Sequence, residues 1–161
     1  MDLLRQKKGF ICDMDGVIYH GDYLLPGVKE FVEWLYKEDK KFLFLTNASG
    51  KSPKELQQKL SRMGLDVDES HFYTSALATA KFISGQNPGC SAYVIGDPGL
   101  FNALHDAGIT INEIDPDYVI VGETNTYSYE KICKAMRLVM EGAKLIGTNT
   151  DLTGPSEHGI L

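Results

Sequence analysis

The chain has 161 residues, 43% of them hydrophobic, which is enough for one ordinary domain or two small ones. Its 22 acidic residues outnumber its 16 basic ones, and the net charge of -6 argues against a nucleic-acid-binding protein, which needs a basic face. Cys12, Cys90 and Cys133 are widely spaced, which argues against a disulfide framework or a thiolate zinc site and favours a reducing cytoplasm. The sequence shows neither a signal peptide nor an apolar run long enough to span a membrane, so we expect a soluble protein.

The first half of the chain alternates predicted strands and helices. Residues 10–12 form a short apolar run that predicts a buried strand, and residues 42–45 and 72–74 predict two more. An amphipathic helix is predicted after Pro26-Gly27, and the capping box SPKE begins a second helix that ends at Gly64. A third helix, ALATAKFI, is expected to follow Ser75 as its N-cap. This β-α-β-α-β-α order predicts an α/β fold with a parallel, doubly wound sheet.

A second α/β unit is predicted after the turn-rich stretch SGQNPGCS, which we interpret as a linker between domains at residues 1–84 and 85–161. Strands are expected at residues 93–95, 109–111, 118–121 and 145–146. Asp97-Pro98 begins one helix of this unit, and Ser128 caps the other. The apolar face of the helix after Ser128 is predicted to contain Ile132, Ala135, Met136 and Val139.

The stretch DMDG follows the first predicted strand, where ligands bind in open α/β sheets. Residues two apart in an extended chain point the same way, so Asp13 and Asp15 are expected to face one crevice. One carboxylate can attack phosphorus, and the other can protonate the leaving oxygen and later activate water. A carboxylate about 4 Å from a phosphate charge is repelled by roughly 4 kcal/mol at an effective dielectric of 20, so a cation is needed, and Mg²⁺ is well suited.

DMDG has two other interpretations. The stretch is also compatible with an acidic turn after a strand, because Asp and Gly favour turns. An EF-hand calcium loop fits poorly, since the alignment puts Ile11 at the first ligand position.

Thr46-Asn47 lies at the end of the second predicted strand, and neighbouring parallel strands end at the same crevice. A hydroxyl and an amide there can bind phosphate oxygens without adding negative charge. The alternative is an ordinary helix-entry turn, with Ser49 or Ser52 as a cap.

These stretches resemble a known family. FICDMDGVIY is similar to the first motif of haloacid dehalogenase phosphatases, and FLFLTNASG is similar to their second. LLPGVKEFVEWL, HFYTSALATAKF, YVIGDPGL, DYVIVGE and GAKLIGTNTDLTGP resemble the NagD-like branch along nearly the whole chain. The resemblance implies a partial Rossmann-like core with an inserted α/β cap that closes over the site and selects the leaving group.

The resemblance also implies roles for particular residues. Asp13 would be the nucleophile and a magnesium ligand, and Asp15 the acid/base, with its backbone carbonyl on the metal. Thr46 and Asn47 would bind the phosphoryl group. The implied reaction is magnesium-dependent hydrolysis of a small phosphorylated metabolite, such as a nucleotide, a sugar phosphate or phosphoglycolate, through an aspartyl-phosphate.

The sequence departs from the family's pattern in one respect. The family's later lysine and further acidic residues have no counterpart in residues 144–161. We therefore expect this chain by itself to be weakly active or inactive, and its first strand to present an open edge that leads to a homodimer or a segment-swapped oligomer. The alternative function is a phosphate-binding or oligomerising module without turnover.

Overall fold

The structure is a computed structural model that describes residues 2–151, 153, 155–156 and 159–160. It divides the chain into two compact units. The first contains Met1–Thr46, Pro53–Tyr73 and Asp151–Leu161, and the second contains Asn47–Ser52 and Thr74–Thr150. In the part of the chain that is described, no helix combines the length and hydropathy of a membrane span.

The first unit is built around short strands and two amphipathic helices. Its elements are α1 (Asp2–Arg5), β1 (Gly9–Asp13), β2 (Tyr19–His20), β3 (Tyr23–Leu24), α2 (Val28–Lys37), β4 (Lys41–Thr46), α3 (Pro53–Arg62), a 3-10 turn (Glu69–His71) and β5 (Phe72–Thr74). The strand order β1-β4-β5 places β1 at an edge, and β2 and β3 form a separate antiparallel hairpin. Near the end of the chain, β10 (Pro155–Ser156) and β11 (Gly159–Ile160) also pair antiparallel.

The sheet of the first unit has one covered face. Phe42 and Phe44 of β4 are buried with Val32 and Leu35 of α2 and with Leu60 of α3. On the alternate positions of the strands, Ile11 is 73% exposed and Leu45 is 43% exposed. Side chains alternate between the faces of a strand, so these residues leave the second face bare in the structure described.

The second unit has its own parallel sheet and core. Its elements are α4 (Ser75–Gln86), β6 (Ser91–Ile95), α5 (Pro98–Asp106), β7 (Thr110–Ile111), β8 (Tyr118–Val121), α6 (Tyr129–Met140) and β9 (Lys144–Gly147). The order β7-β6-β8-β9 continues in both directions from β6, as in a doubly wound sheet. The α/β class and the parallel strands predicted from the sequence are therefore confirmed.

Three local predictions differ from the structure. The cap of α4 is Thr74, whose hydroxyl accepts from the Leu77 amide, and Ser75 is already helical. This helix continues through the first three residues of the predicted linker, to Gln86, and its buried face packs in the core of the second unit. The division of the chain therefore falls before α4 and around 47–52, instead of at residue 84.

The third difference concerns the buried face of α6. Ser128 caps this helix as predicted, by accepting a hydrogen bond from the Lys131 amide. Ala135 and Leu138 are buried in the core of the second unit and Val139 packs against it, whereas Ile132 is 42% exposed and Met136 is 60% exposed. Ala135 and Val139 of the predicted face are therefore confirmed, Ile132 and Met136 are wrong, and Leu138 was missed.

Leu100 provides a test of the second core. It is fully buried on α5, and a Cβ added to Gly122 would lie 2.6 Å from its Cδ2 atom. We expect Leu100→Ala to lower the free energy of unfolding by about 2–5 kcal/mol, since a cavity remains. Urea unfolding should show a much smaller effect for the control Leu145→Ala, because Leu145 is 60% exposed. Equal effects would show that this packing is wrong.

Candidate active site

The ends of β1 and β4 bring two predicted site residues together. The strands are parallel, and Asp13 is in register with Leu45, so Thr46 follows one position later on the adjacent strand. Asp13 is exposed, while Thr46 is buried. The structure thus confirms the expected meeting of the strand ends in the first unit, while the chemical roles of both residues stay predictions.

The backbone after Asp13 holds both aspartates outward. Met14 is fully buried between them, and its carbonyl accepts hydrogen bonds from the amides of Val17 and Ile18. Gly16 has a φ of 77°, which an L side chain rarely adopts. Asp13 and Asp15 are both exposed on either side of Met14, while their facing one crevice stays a prediction.

A residue that the sequence analysis missed contacts one of these aspartates. The Tyr19 hydroxyl donates a hydrogen bond to Asp15 Oδ2 at 3.3 Å. Tyr19 begins the β2–β3 hairpin, whose turn contains Gly21-Asp22. A glycine-containing two-residue connection is a hairpin signal, and it was available in the sequence.

The chemistry of the pair fits a hard cation. Aspartate oxygens suit Mg²⁺, which takes one or two carboxylates and fills its remaining positions with water or phosphate oxygens. Among the described residues, no cluster of three or more histidine, cysteine or acidic side chains is arranged to hold a metal ion. Burial raises the pKa of the Cys12 thiol, so this neighbour of Asp13 is protonated at neutral pH and is not a rival nucleophile.

Asn47, the remaining predicted site residue, begins a loop that belongs to the second unit. The Ser75 hydroxyl donates to the Asn47 carbonyl at 2.7 Å. Thr46 and Asn47 are adjacent in the sequence but fall in different compact units. The part of Asn47 in phosphate binding therefore stays a prediction.

Ser49 and Gly50 fix this loop within the second unit. The buried Ser49 hydroxyl accepts from the Glu123 amide at 2.9 Å and from the Thr148 hydroxyl at 3.2 Å. The Gly99 amide donates to the Gly50 carbonyl at 3.1 Å. A Cβ at Gly99 would lie 2.6 Å from backbone of the loop, so only glycine fits. Ser49 is therefore an anchor between distant segments and does not cap a helix.

The parallel strands β1 and β4, with Asp13 and Thr46 at their ends, place the first unit among α/β proteins whose functional groups lie where parallel strands end. The comparison with known proteins assigns the chain to one family within this class. Residues 10–110 match the family model described as haloacid dehalogenase-like hydrolase. The chain belongs to this family, in its NagD-like branch.

Curated relatives and solved structures agree with this assignment. The chain is 42% identical to a dihydroxyacetone phosphatase of Corynebacterium glutamicum (strain R), covering 94% of this chain and 55% of the relative. It is 40% identical to an acid sugar phosphatase of Staphylococcus aureus (strain USA300), covering 98% of this chain and 61% of the relative. It thus spans little more than half of the length of these relatives.

Two solved structures are similar in fold as well as in sequence. A 4-nitrophenylphosphatase from Thermotoga maritima superimposes with a TM-score of 0.91 at 36% identity, covering 96% of this chain and 59% of that one. NagD from E. coli K-12 superimposes with a TM-score of 0.87 at 39% identity, covering 95% of this chain and 61% of that one.

The Ser49 anchor can be tested by stability. Ser49→Ala leaves the buried Glu123 amide without this acceptor, so we expect the second unit to lose about 1–3 kcal/mol of unfolding free energy. Ser84→Ala is the control, because the Ser84 hydroxyl donates to the exposed Lys81 carbonyl of its own helix. Urea unfolding that shows equal losses for both variants would contradict an anchoring role.

Proposed function

We propose that the chain carries the nucleophile and the acid/base of a magnesium-dependent phosphatase that hydrolyses small phosphate monoesters. The observation that carries the proposal is the pair of exposed aspartates, Asp13 and Asp15, on either side of the buried Met14, with Thr46 at the end of the adjacent strand. Family membership supports it, because relatives that match nearly the whole chain are named as phosphatases.

The proposed reaction has two steps, formation and hydrolysis of an aspartyl-phosphate. In the first, an Asp13 carboxylate oxygen bonds to phosphorus as the bond to the ester oxygen breaks, and protonated Asp15 gives its proton to that oxygen. In the second, Asp15 takes a proton from water as the water oxygen attacks the aspartyl-phosphate, which returns Asp13 as a carboxylate and releases phosphate. The Thr46 hydroxyl and the Asn47 amide would bind non-bridging phosphate oxygens during both steps.

The electrostatic cost explains the need for a cation. Asp13, Asp15 and a phosphate ester are all negative, and two such charges about 4 Å apart repel by roughly 4 kcal/mol at an effective dielectric of 20. Asp13 and Asp15 would hold Mg²⁺, which when bound offsets this repulsion.

We propose sugar phosphates and related small esters as the substrate class. Relatives named dihydroxyacetone phosphatase and acid sugar phosphatase support it, and the structure named 4-nitrophenylphosphatase adds an aryl ester. The second compact unit, with a sheet and a core of its own, is proposed as the cap that selects among them.

The nucleophile can be tested directly. We expect Asp13→Asn to lower hydrolysis of dihydroxyacetone phosphate by at least about a thousandfold, because no covalent intermediate can form. Phosphate release is measured with and without magnesium, and a chelator should remove the wild-type activity until magnesium is restored. Asp106→Asn, at a side chain that is 83% exposed, is the control. Activity that survives in the Asp13 variant would exclude the proposed mechanism.

The alternative function is a phosphate-binding or oligomerising module without turnover. A wild-type chain that binds phosphate but releases none from any of the esters would support this alternative.

We also propose that a 161-residue chain standing by itself forms a homodimer through β1. The strand is at the edge of its sheet, and its residue Ile11 is 73% exposed; both features favour pairing with a second copy.

Light scattering after gel filtration should give twice the chain mass of 17.8 kDa. Ile11→Lys should shift the protein to monomer by adding charge to the bare face. Ile114→Lys is the control, since Ile114 is 85% exposed in the second unit. A monomer at every concentration would refute the proposal.

A further inference from the structure

Tyr19 lies between Asp15 and Lys59 in the first unit. Its hydroxyl donates to Asp15 Oδ2 at 3.3 Å, and the Lys59 Nζ atom is 3.9 Å from the centroid of its ring. Tyr19 is 4% exposed, whereas Asp15 is exposed. Neither Tyr19 nor Lys59 has a part in the two-step reaction above.

The backbone fixes the hydroxyl of Tyr19 relative to Asp15. Asp15 and Tyr19 form a β-bridge, and the Gly16 amide donates to the Tyr19 carbonyl at 2.8 Å. The Tyr19 amide in turn donates to the Met14 carbonyl at 3.3 Å. An exposed aspartate samples several rotamers, and a donor that cannot move favours the one rotamer that reaches it.

Lys59 reaches the tyrosine from a different element. It is half-buried on α3, next to the fully buried Leu60, so the helix packing sets the position of its stem. An ammonium over the face of an aromatic ring is attracted to the negative charge of that face. The contact therefore holds the Tyr19 ring in place.

We propose that Tyr19 and Lys59 are a positioning pair for the acid/base Asp15. Tyr19 holds the Asp15 carboxyl in one rotamer through its hydroxyl, and Lys59 holds the Tyr19 ring through its ammonium. The inference rests on the proposed function, because Asp15 needs a fixed position only if it transfers a proton to the leaving oxygen.

A comparison of two esters with different leaving groups distinguishes a positioning role of Tyr19 from a general structural role. An alkyl oxygen leaves as an alcohol and needs a proton, whereas 4-nitrophenolate is stable enough to leave without one. The first step governs kcat/KM, whereas the second step, the attack of water on the aspartyl-phosphate, is the same for both esters. Misplacing Asp15 should therefore lower kcat/KM for an alkyl phosphate much more than kcat/KM for 4-nitrophenyl phosphate. A variant that only loosens the fold should lower both equally.

The first experiment removes the hydroxyl and keeps the ring. For Tyr19→Phe we expect kcat/KM for dihydroxyacetone phosphate to fall about tenfold, since a hydrogen bond that holds Asp15 is lost. We expect kcat/KM for 4-nitrophenyl phosphate to change less than about twofold. Tyr23→Phe, at an 80% exposed position of the same hairpin, should change neither. Equal losses on both esters in Tyr19→Phe would overturn the inference.

The second experiment asks whether the charge of Lys59 matters. Lys59→Met keeps an apolar stem and removes the ammonium, so it should show the same preference for the aryl ester as Tyr19→Phe. Lys59→Arg keeps a cation for the ring and should restore most of the alkyl phosphatase activity. If Met and Arg behave alike, Lys59 does not position Tyr19.

A third measurement does not depend on turnover. In the whole chain labelled with ¹³C at aspartate carboxyl carbons, Tyr19→Phe should move the Asp15 resonance at neutral pH, and Tyr23→Phe should leave it in place. An unmoved resonance overturns the inference whatever the activity.

The two proposals fail in different ways. Activity that survives Asp13→Asn defeats the proposed function. A normal loss in Asp13→Asn, combined with an unchanged ratio of the two esters in Tyr19→Phe, defeats only the positioning pair. If wild-type protein hydrolyses neither ester, the proposed function fails, and the NMR measurement alone decides whether Tyr19 positions Asp15.

Discussion

The burial of Met14 is the interaction on which the candidate site depends. Its side chain is fully buried in the first core, and its carbonyl accepts amides from the turn that follows. Because neighbours in an extended segment point to opposite sides, an inward Met14 turns Asp13 and Asp15 outward. The pairing of β1 with β4 then puts Asp13 in register with Leu45, and Thr46 follows one position later on β4. The burial of one apolar side chain thus orients the two aspartates of the candidate site.

The loop that follows Thr46 has a second kind of anchor. Ser49 bonds the ends of β8 and β9 at Glu123 and Thr148, and Gly99 leaves no room for a side chain beside the loop backbone. A buried hydroxyl with backbone partners is costly to disturb, because each lost bond leaves a polar group without a partner. The strand of the first unit that ends in Thr46 therefore continues directly into a rigidly held part of the second unit.

The negative net charge of the chain bears on the proposed binding of a phosphate anion. The net charge of -6 opposes phosphate binding in general, so cations must act locally. Lys59 lies over the Tyr19 ring, and this contact was not expected from the sequence because Lys59 is 40 residues along the chain from Tyr19. Such contacts depend on how a helix packs against a hairpin, and no local pattern encodes them.

The sequence by itself determined the elements and the strand ends that carry Asp13, Asp15 and Thr46, because caps, apolar spacing and turn residues act within a few residues. It identified the family for the same reason, since the motifs are local. The tertiary structure alone decided that α4 and the loop Asn47–Ser52 join the second unit, that α6 buries Leu138 instead of Met136, and that Tyr19 meets Asp15. These outcomes depend on packing between segments that are far apart in the chain. A helix with several apolar faces can bury any of them, and only the assembled core selects one.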